Sequence, residues 1–173
     1  YREEGYPLDC AWDLSTLFAN MRDRAALVLP HHTAYELGNR GKVWDVHDAD
    51  LSPLAEVYSS HGSSEAVDSP VPMNANRDMG PRTHGGTFQD ALDRGHKIGA
   101  VAGNDGPGLP GTWGNGIGGV WATELTREGI WVALKARRTV GVTGDRIALW
   151  WTLDGNPLGS VVDDPVSRRA TVD

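Results

Sequence analysis

Three short apolar runs, Ala26–Leu29, Leu54–Tyr58 and Ile98–Ala102, constrain this chain more than any other feature. Each is stopped by a turn-forming or polar residue, and each is too short to make a buried helix but the right length for a buried strand. Segments of helical period lie between them. Leu14, Leu17, Phe18, Met21 and Ala25 share one helical face behind a candidate N-cap, Asp13. Thr87–Arg94 places Phe88, Ala91 and Leu92 inward, with Gly95 at the C′ position. A further strand is predicted at Gly119–Ala122 and a longer helix at Thr126–Arg138. That helix carries Thr126 as cap, Glu128 at its positive end, and Lys135, Arg137 and Arg138 at its negative end. Helices that feed buried strands predict an α/β fold built on a parallel sheet.

The period changes after Gly144. Ile147, Leu149 and Trp151 alternate with Ala148, Trp150 and Thr152, and Asp154-Gly155-Asn156 then reads as a turn, which is antiparallel β chemistry. The predicted division is therefore residues 1–144 as one domain and 145–173 as the start of a small appended β domain. Ala66–Arg82, with three prolines, and Gly103–Gly119, with eight glycines, have no usable periodicity and read as functional loops or linkers.

Composition narrows the function classes. With 16 Lys and Arg against 23 Asp and Glu, the net charge of −7 lacks the basic face that a nucleic-acid backbone requires. No apolar run approaches the roughly 20 residues of a membrane helix. The single cysteine, Cys10, reads as an inert thiol and requires no oxidising compartment, which favours a cytoplasmic setting. The start at Tyr1 without Met and the stop at Asp173 within apparent β structure read as boundaries inside a longer protein.

The residues just past each predicted strand carry the chemistry. The first strand runs into His31-His32, the second into Ser59-Ser60-His61, and the third into Asn104-Asp105. Loops converge at the carboxyl ends of parallel strands, so these residues are candidates for one site. Neutral imidazoles with a carboxylate suit Zn²⁺, Mn²⁺ or Fe²⁺. The plainer readings stand beside this. Adjacent histidines on an extended chain point to opposite sides, so His31 and His32 would not share one ion. His61 reads equally as a loop residue, and Asp105 as a turn residue among glycines. Glu56, inside an apolar strand, is either a site residue or a buried structural partner. His47, His84 and His96 read as surface residues. The tract GNDGPGLPGTWGNG lacks a phosphate-loop lysine, and no GxSxG elbow accompanies Ser59, Ser60, Ser63 and Ser64.

The phrases PHHTAY (30–35), LSPLAEVYSSHGSSE (51–65) and LTREGIWVALKARRTVGVTGDRI (125–147), with GHKIGAVAGND and GLPGTWG between them, resemble the PHP-like (polymerase and histidinol phosphatase) family of metal-dependent hydrolases. The resemblance spans most of residues 25–160. It implies part of a distorted βα barrel, specifically its C-terminal half, with metals at the carboxyl ends of the strands and phosphoesters or related bonds as substrates. It also implies that a family DLHxHT-like ligand motif is missing from this chain. On the family pattern, His32 matches the histidine of an HHP-like phrase with His31 adjacent, and Glu56 and His61 stand in a phrase that borders the site. An Asp-x-His expected ahead of Pro110-Gly111 is represented by Asn104-Asp105-Gly106-Pro107, where the aspartate survives and its histidine does not.

The sequence thus reads as a metal-dependent hydrolase. His31, His32 and Asp105 would hold divalent metal (Zn, Mn or Fe), and His61 and Glu56 would orient water or relay a proton toward a small-molecule substrate. The alternative is a non-catalytic relative whose degraded metal site serves ligand binding or assembly. No nucleic-acid or membrane partner is expected. A half-barrel with open edges would be completed by homo-oligomerisation or by a missing N-terminal half.

Overall fold

The computed structural model describes residues 11–74, 80–106, 116–163 and 168–172. Cys10 and Pro110-Gly111 lie outside the described residues. The order along the chain is α1 (Leu14–Met21), β1 (Leu54–Ser59), β2 (Gly62–Ser63), α2 (Phe88–Asp93), β3 (Gly99–Ala102), β4 (Ile117–Val120), α3 (Arg127–Lys135), β5 (Thr139–Val142), β6 (Trp151–Leu153), β7 (Asn156–Pro157) and β8 (Ala170–Val172).

Local chemistry sets the helix starts. Asp13 Oδ1 accepts from Thr16 N at 2.7 Å, and these cap bonds hold its carboxyl below the usual range. Thr87 and Asp90 form a reciprocal capping box on α2, and Thr126 Oγ1 accepts from Gly129 N at 3.0 Å on α3. The core lies between α2 and β1, where Trp44, Ala55, Ala91 and Ile98 are buried and Phe88 packs against them. Trp44 is fully buried, and its indole N–H is shared between the Gly86 and Thr87 carbonyls at 2.9 and 3.0 Å. His47 and His96 pack beside it, with ring centroids 4.5 Å apart, and burial with neighbouring His96 pushes the His47 imidazole down to about 4. Both were expected at the surface; of the three outlying histidines, only His84 is exposed.

The strands form three small sheets, ordered β2-β1-β3, β4-β5 and β7-β6-β8. β1 and β3 are parallel and linked through α2, the βα alternation that the apolar runs predict. Their register pairs Leu54 with Gly99 and Glu56 with Val101, then slips so that Tyr58 faces Ala102, a bulge at the site end of the strand. The barrel does not follow. β4 and β5 flank α3 yet pair antiparallel, so the parallel succession stops at β3, and no barrel is closed among the described residues. The expectation of an α/β distorted βα barrel is corrected on this ground: the chain is mostly short strands in three small sheets with few helices. With the half-barrel goes the reason for completing it by self-association.

The first predicted strand also fails. Ala26–Pro30 runs beside β1 but makes only end bonds, Val28 N to Leu51 O at 2.8 Å and Glu56 N to Pro30 O at 2.9 Å. Pro30 and Pro53 lack the N–H groups that a regular ladder between them would use.

Close packing joins the sheets. A Cβ on Gly141 of β5 would meet Val57 Cγ1 at 2.9 Å and the Val101 carbonyl carbon at 3.1 Å, so β5 crosses directly over β1 and β3. In the C-terminal sheet, Asp154 and Gly155 have φ of 50° and 78° between the paired Leu153 and Asn156, a type I′ hairpin. Leu158 beyond it is buried, Arg137 Nη2 donates to Gly159 O at 3.1 Å, and Trp121 Nε1 donates to Leu149 O at 2.8 Å. The segment after Gly144 is therefore docked onto the end of α3.

Two glycines separate backbone strain from close approach. Gly155 (φ 78°) faces open space, whereas a Cβ on Gly159 (φ 85°) would run into the Ala136 carbonyl oxygen. Gly155→Ala should cost about 1 kcal/mol, and Gly159→Ala about 2–4 kcal/mol because it adds a backbone clash to the same strain. Urea unfolding checks the ranking; equal costs would mean that residues around Leu158 are not docked.

Candidate functional site

Three connections meet beyond the carboxyl ends of β1 and β3. His31 and His32 follow Pro30, His61 occupies the two-residue turn between β1 and β2, and Asp105 follows β3. Ser60 ties two of them together: its N–H donates to Asn104 O at 3.1 Å and its hydroxyl to Asp105 O at 2.6 Å. His31, His32 and Asp105 each offer a donor atom, and these atoms lie within 4.8 Å of one another. His61 Nε2 lies 3.2 Å and His31 Nδ1 3.4 Å from the same Asp105 oxygen, Oδ2.

An extended backbone would have sent His31 and His32 to opposite sides. The backbone here is not extended: His32 has φ 35°, and the two rings lie on one side, centroids 3.8 Å apart. Asp105 is also left-handed, with φ 41°. Asp and His tolerate this region better than most residues, but it still costs on the order of 1 kcal/mol each and needs support from the surroundings. Glu56 supplies that support for His32. Its carboxylate, 8% exposed, accepts from His32 N at 3.0 Å, and burial pushes its pKa up against the opposing pull of that bond. The structure thus places Glu56 behind the His32 backbone, as a positioning group.

Burial pushes the His32 imidazole down, helped by neighbouring His31, which favours the neutral ring that ligates metal. Its Nδ1 is buried without a hydrogen-bond partner among the described residues. An orphaned imidazole nitrogen beside a carboxylate and a second imidazole fits a metal centre. Bonds of about 2.1 Å at a tetrahedral angle set donors about 3.4 Å apart, so side-chain adjustments of about 1 Å close the group around an ion.

Tyr35 is the residue that sequence reasoning missed. It lies in the PHHTAY phrase, yet no periodicity or spacing gives it a role. It is fully buried, its hydroxyl donates to Asn74 O at 2.7 Å, and it sits 3.3 Å from His61 Nδ1. A phenol has one proton, so toward His61 it accepts, and Nδ1 carries the hydrogen. The other ring nitrogen, Nε2, faces Asp105 Oδ2.

Replacing Glu56 tests the support. Glu56→Leu leaves the His32 N–H buried and unpaired and should cost about 1–3 kcal/mol in denaturant unfolding, whereas Glu56→Gln retains an acceptor and should cost less. Equal costs for the two variants would contradict the role given to this bond.

Residues 96–152 match the family described as protein of unknown function (DUF3604). That segment runs from before β3 through the start of β6 and includes Asp105 but none of His31, His32 and His61. The chain is also similar to an uncharacterized protein of Chlamydia pneumoniae, 26% identical over 161 residues, covering 85% of this chain and 25% of the relative. The chain therefore spans about a quarter of the length of that curated relative. No solved structure matches the chain.

Proposed function

We propose that His31, His32 and Asp105 hold a divalent metal ion (Zn²⁺, Mn²⁺ or Fe²⁺) and that this chain carries part of a metal-dependent hydrolase. The observation that carries the reading is the donor group itself: three ligand atoms within 4.8 Å, two of them on residues held in the left-handed backbone region. Three protein donors would leave a bound ion open to water or substrate, as in catalytic rather than structural sites. A bound ion supplies positive charge that polarises the scissile centre and lowers the pKa of an adjacent water. Phosphoesters or related bonds in a small molecule are the proposed substrate class, which rests on the PHP-like resemblance.

The chain's own residues then divide the work. Tyr35 fixes His61 with its proton on Nδ1, so Nε2 is the nitrogen available to accept a proton from water at the site mouth. Glu56 holds the His32 backbone, and Ser60 holds the Asp105 loop. A second reading is a centre that binds without turnover. It is favoured by Pro107, which stands in the sequence where the family's Asp-x-His phrase has its histidine.

Thermal melts with Zn²⁺, Mn²⁺ or Fe²⁺ test the proposal. Ion at a hundredfold excess over its Kd should stabilise the fold by about 2.7 kcal/mol. His32→Ala and Asp105→Ala should each abolish that rise, and the exposed His84→Ala should leave it unchanged. His32 is shifted downward from the usual 6.5, so it stays neutral at pH 7, and the rise should fade as pH drops below 6.5 toward its lower folded value. Metal-dependent hydrolysis of bis(p-nitrophenyl) phosphate, falling about 10²–10⁴-fold in His61→Gln, supports the hydrolase. A metal-stabilised protein without turnover supports the second reading, and a melt indifferent to all three ions overturns both.

A further inference from the structure

We infer that a second site, at the opposite end of β3, binds a small carboxylate with an apolar tail. Asp105 lies beyond the carboxyl end of β3, whereas a cavity of about 540 Å³ opens around Lys97–Ala100 at its start, between α2, β5 and the C-terminal hairpin. That volume falls within the range of small-molecule sites. Its walls are apolar, with Phe88, Leu92, Ile98, Leu149, Trp151 and Leu158 contributing. Leu92 belongs to the face of α2 expected to be inward, yet it is 40% exposed and lines this cavity.

Charge identifies the occupant. The chain carries 23 acidic residues against 16 basic ones, but among the described residues no Asp or Glu lines the cavity, while Lys97 and Arg137 do. One of the five N–H donors of Arg137 is committed to Gly159 O at 3.1 Å, which holds the guanidinium on the wall. An anion with an apolar body answers both features: the tail covers the hydrophobic wall, and the head meets Lys97 and Arg137. A cationic amphiphile would meet two like charges, and a neutral one would leave both cations unused. This site stands independently of the metal reading, since it shares no residue with the His31, His32 and Asp105 group.

Decanoate is the probe, followed by Trp fluorescence, with Trp151 on the wall, and by calorimetry. Decanoate should saturate at one per chain, and decyltrimethylammonium should bind at least about tenfold more weakly. Lys97→Met, at an exposed position, should weaken decanoate about tenfold, and Leu92→Glu, which places a carboxylate in the cavity from the outer face of a helix, should abolish saturable binding. Circular dichroism melts of both variants confirm that they remain folded. Equal binding of the two amphiphiles, decanoate binding unchanged in both variants, or no saturation below about 1 mM overturns the proposal. So does a self-association that Leu92→Glu dissolves in a protein that takes up no decanoate, which would assign the wall to a second copy of the chain.

Discussion

The His32 N–H donates to a carboxylate buried inside β1, and the arrangement of the candidate site depends on that bond. It fixes the left-handed turn at His32, and that turn swings the ring onto the same side as His31. A carboxylate at this depth is costly unless its oxygens are satisfied, so the position is occupied by Glu56 for a reason that packing alone does not supply. β1 lies at the centre of its sheet, between β2 and β3, and so links all three loops. Its core holds Glu56, its following turn holds His61, and its parallel partner leads to Asp105.

Tight strand crossing makes this small assembly rigid. β5 lies so close over β1 and β3 that Gly141 has no room for a side chain, and the slip in register at Val57 bends the end of β1 where the site begins. Residues beyond Gly144 add a second anchor through Leu158 and the Arg137–Gly159 bond, and in doing so they build one wall of the cavity at the start of β3. The His31, His32 and Asp105 group and the cavity therefore occupy opposite ends of β3, each formed where this strand meets a different neighbour.

Legibility in the sequence followed the range of the interactions. Asp13, Thr87 and Thr126 cap their helices through bonds three residues away, and the sequence places Asp13 and Thr126 as caps while counting Thr87 into its helix. Leu54–Tyr58 and Ile98–Ala102 are strands because their burial is written in short apolar runs, the first interrupted only by Glu56. Ala26–Leu29 has the same signature but not the structure, because its ladder depends on N–H groups that Pro30 and Pro53 lack. The antiparallel return of β5 against β4 was invisible: Ile117–Val120 is half glycine, and pairing direction is set by where α3 docks, not by local pattern. At the site, the positions of His31, His32, His61 and Asp105 after successive apolar runs pointed to one place. The sign of φ at His32 and the buried hydroxyl of Tyr35 decide how those residues face one another, and neither leaves a trace in periodicity.

Cobalt substitution probes the proposed metal centre at the ion itself, because visible absorption of Co²⁺ reports coordination number and donor type. Titrating Co²⁺ into the protein at pH 7.5 should produce intense d–d bands of a four- or five-coordinate nitrogen and oxygen site, saturating at about one ion per chain and absent in His32→Ala. A spectrum that stays the pale six-coordinate pattern of Co²⁺ in buffer throughout the titration would contradict a metal centre at His31, His32 and Asp105.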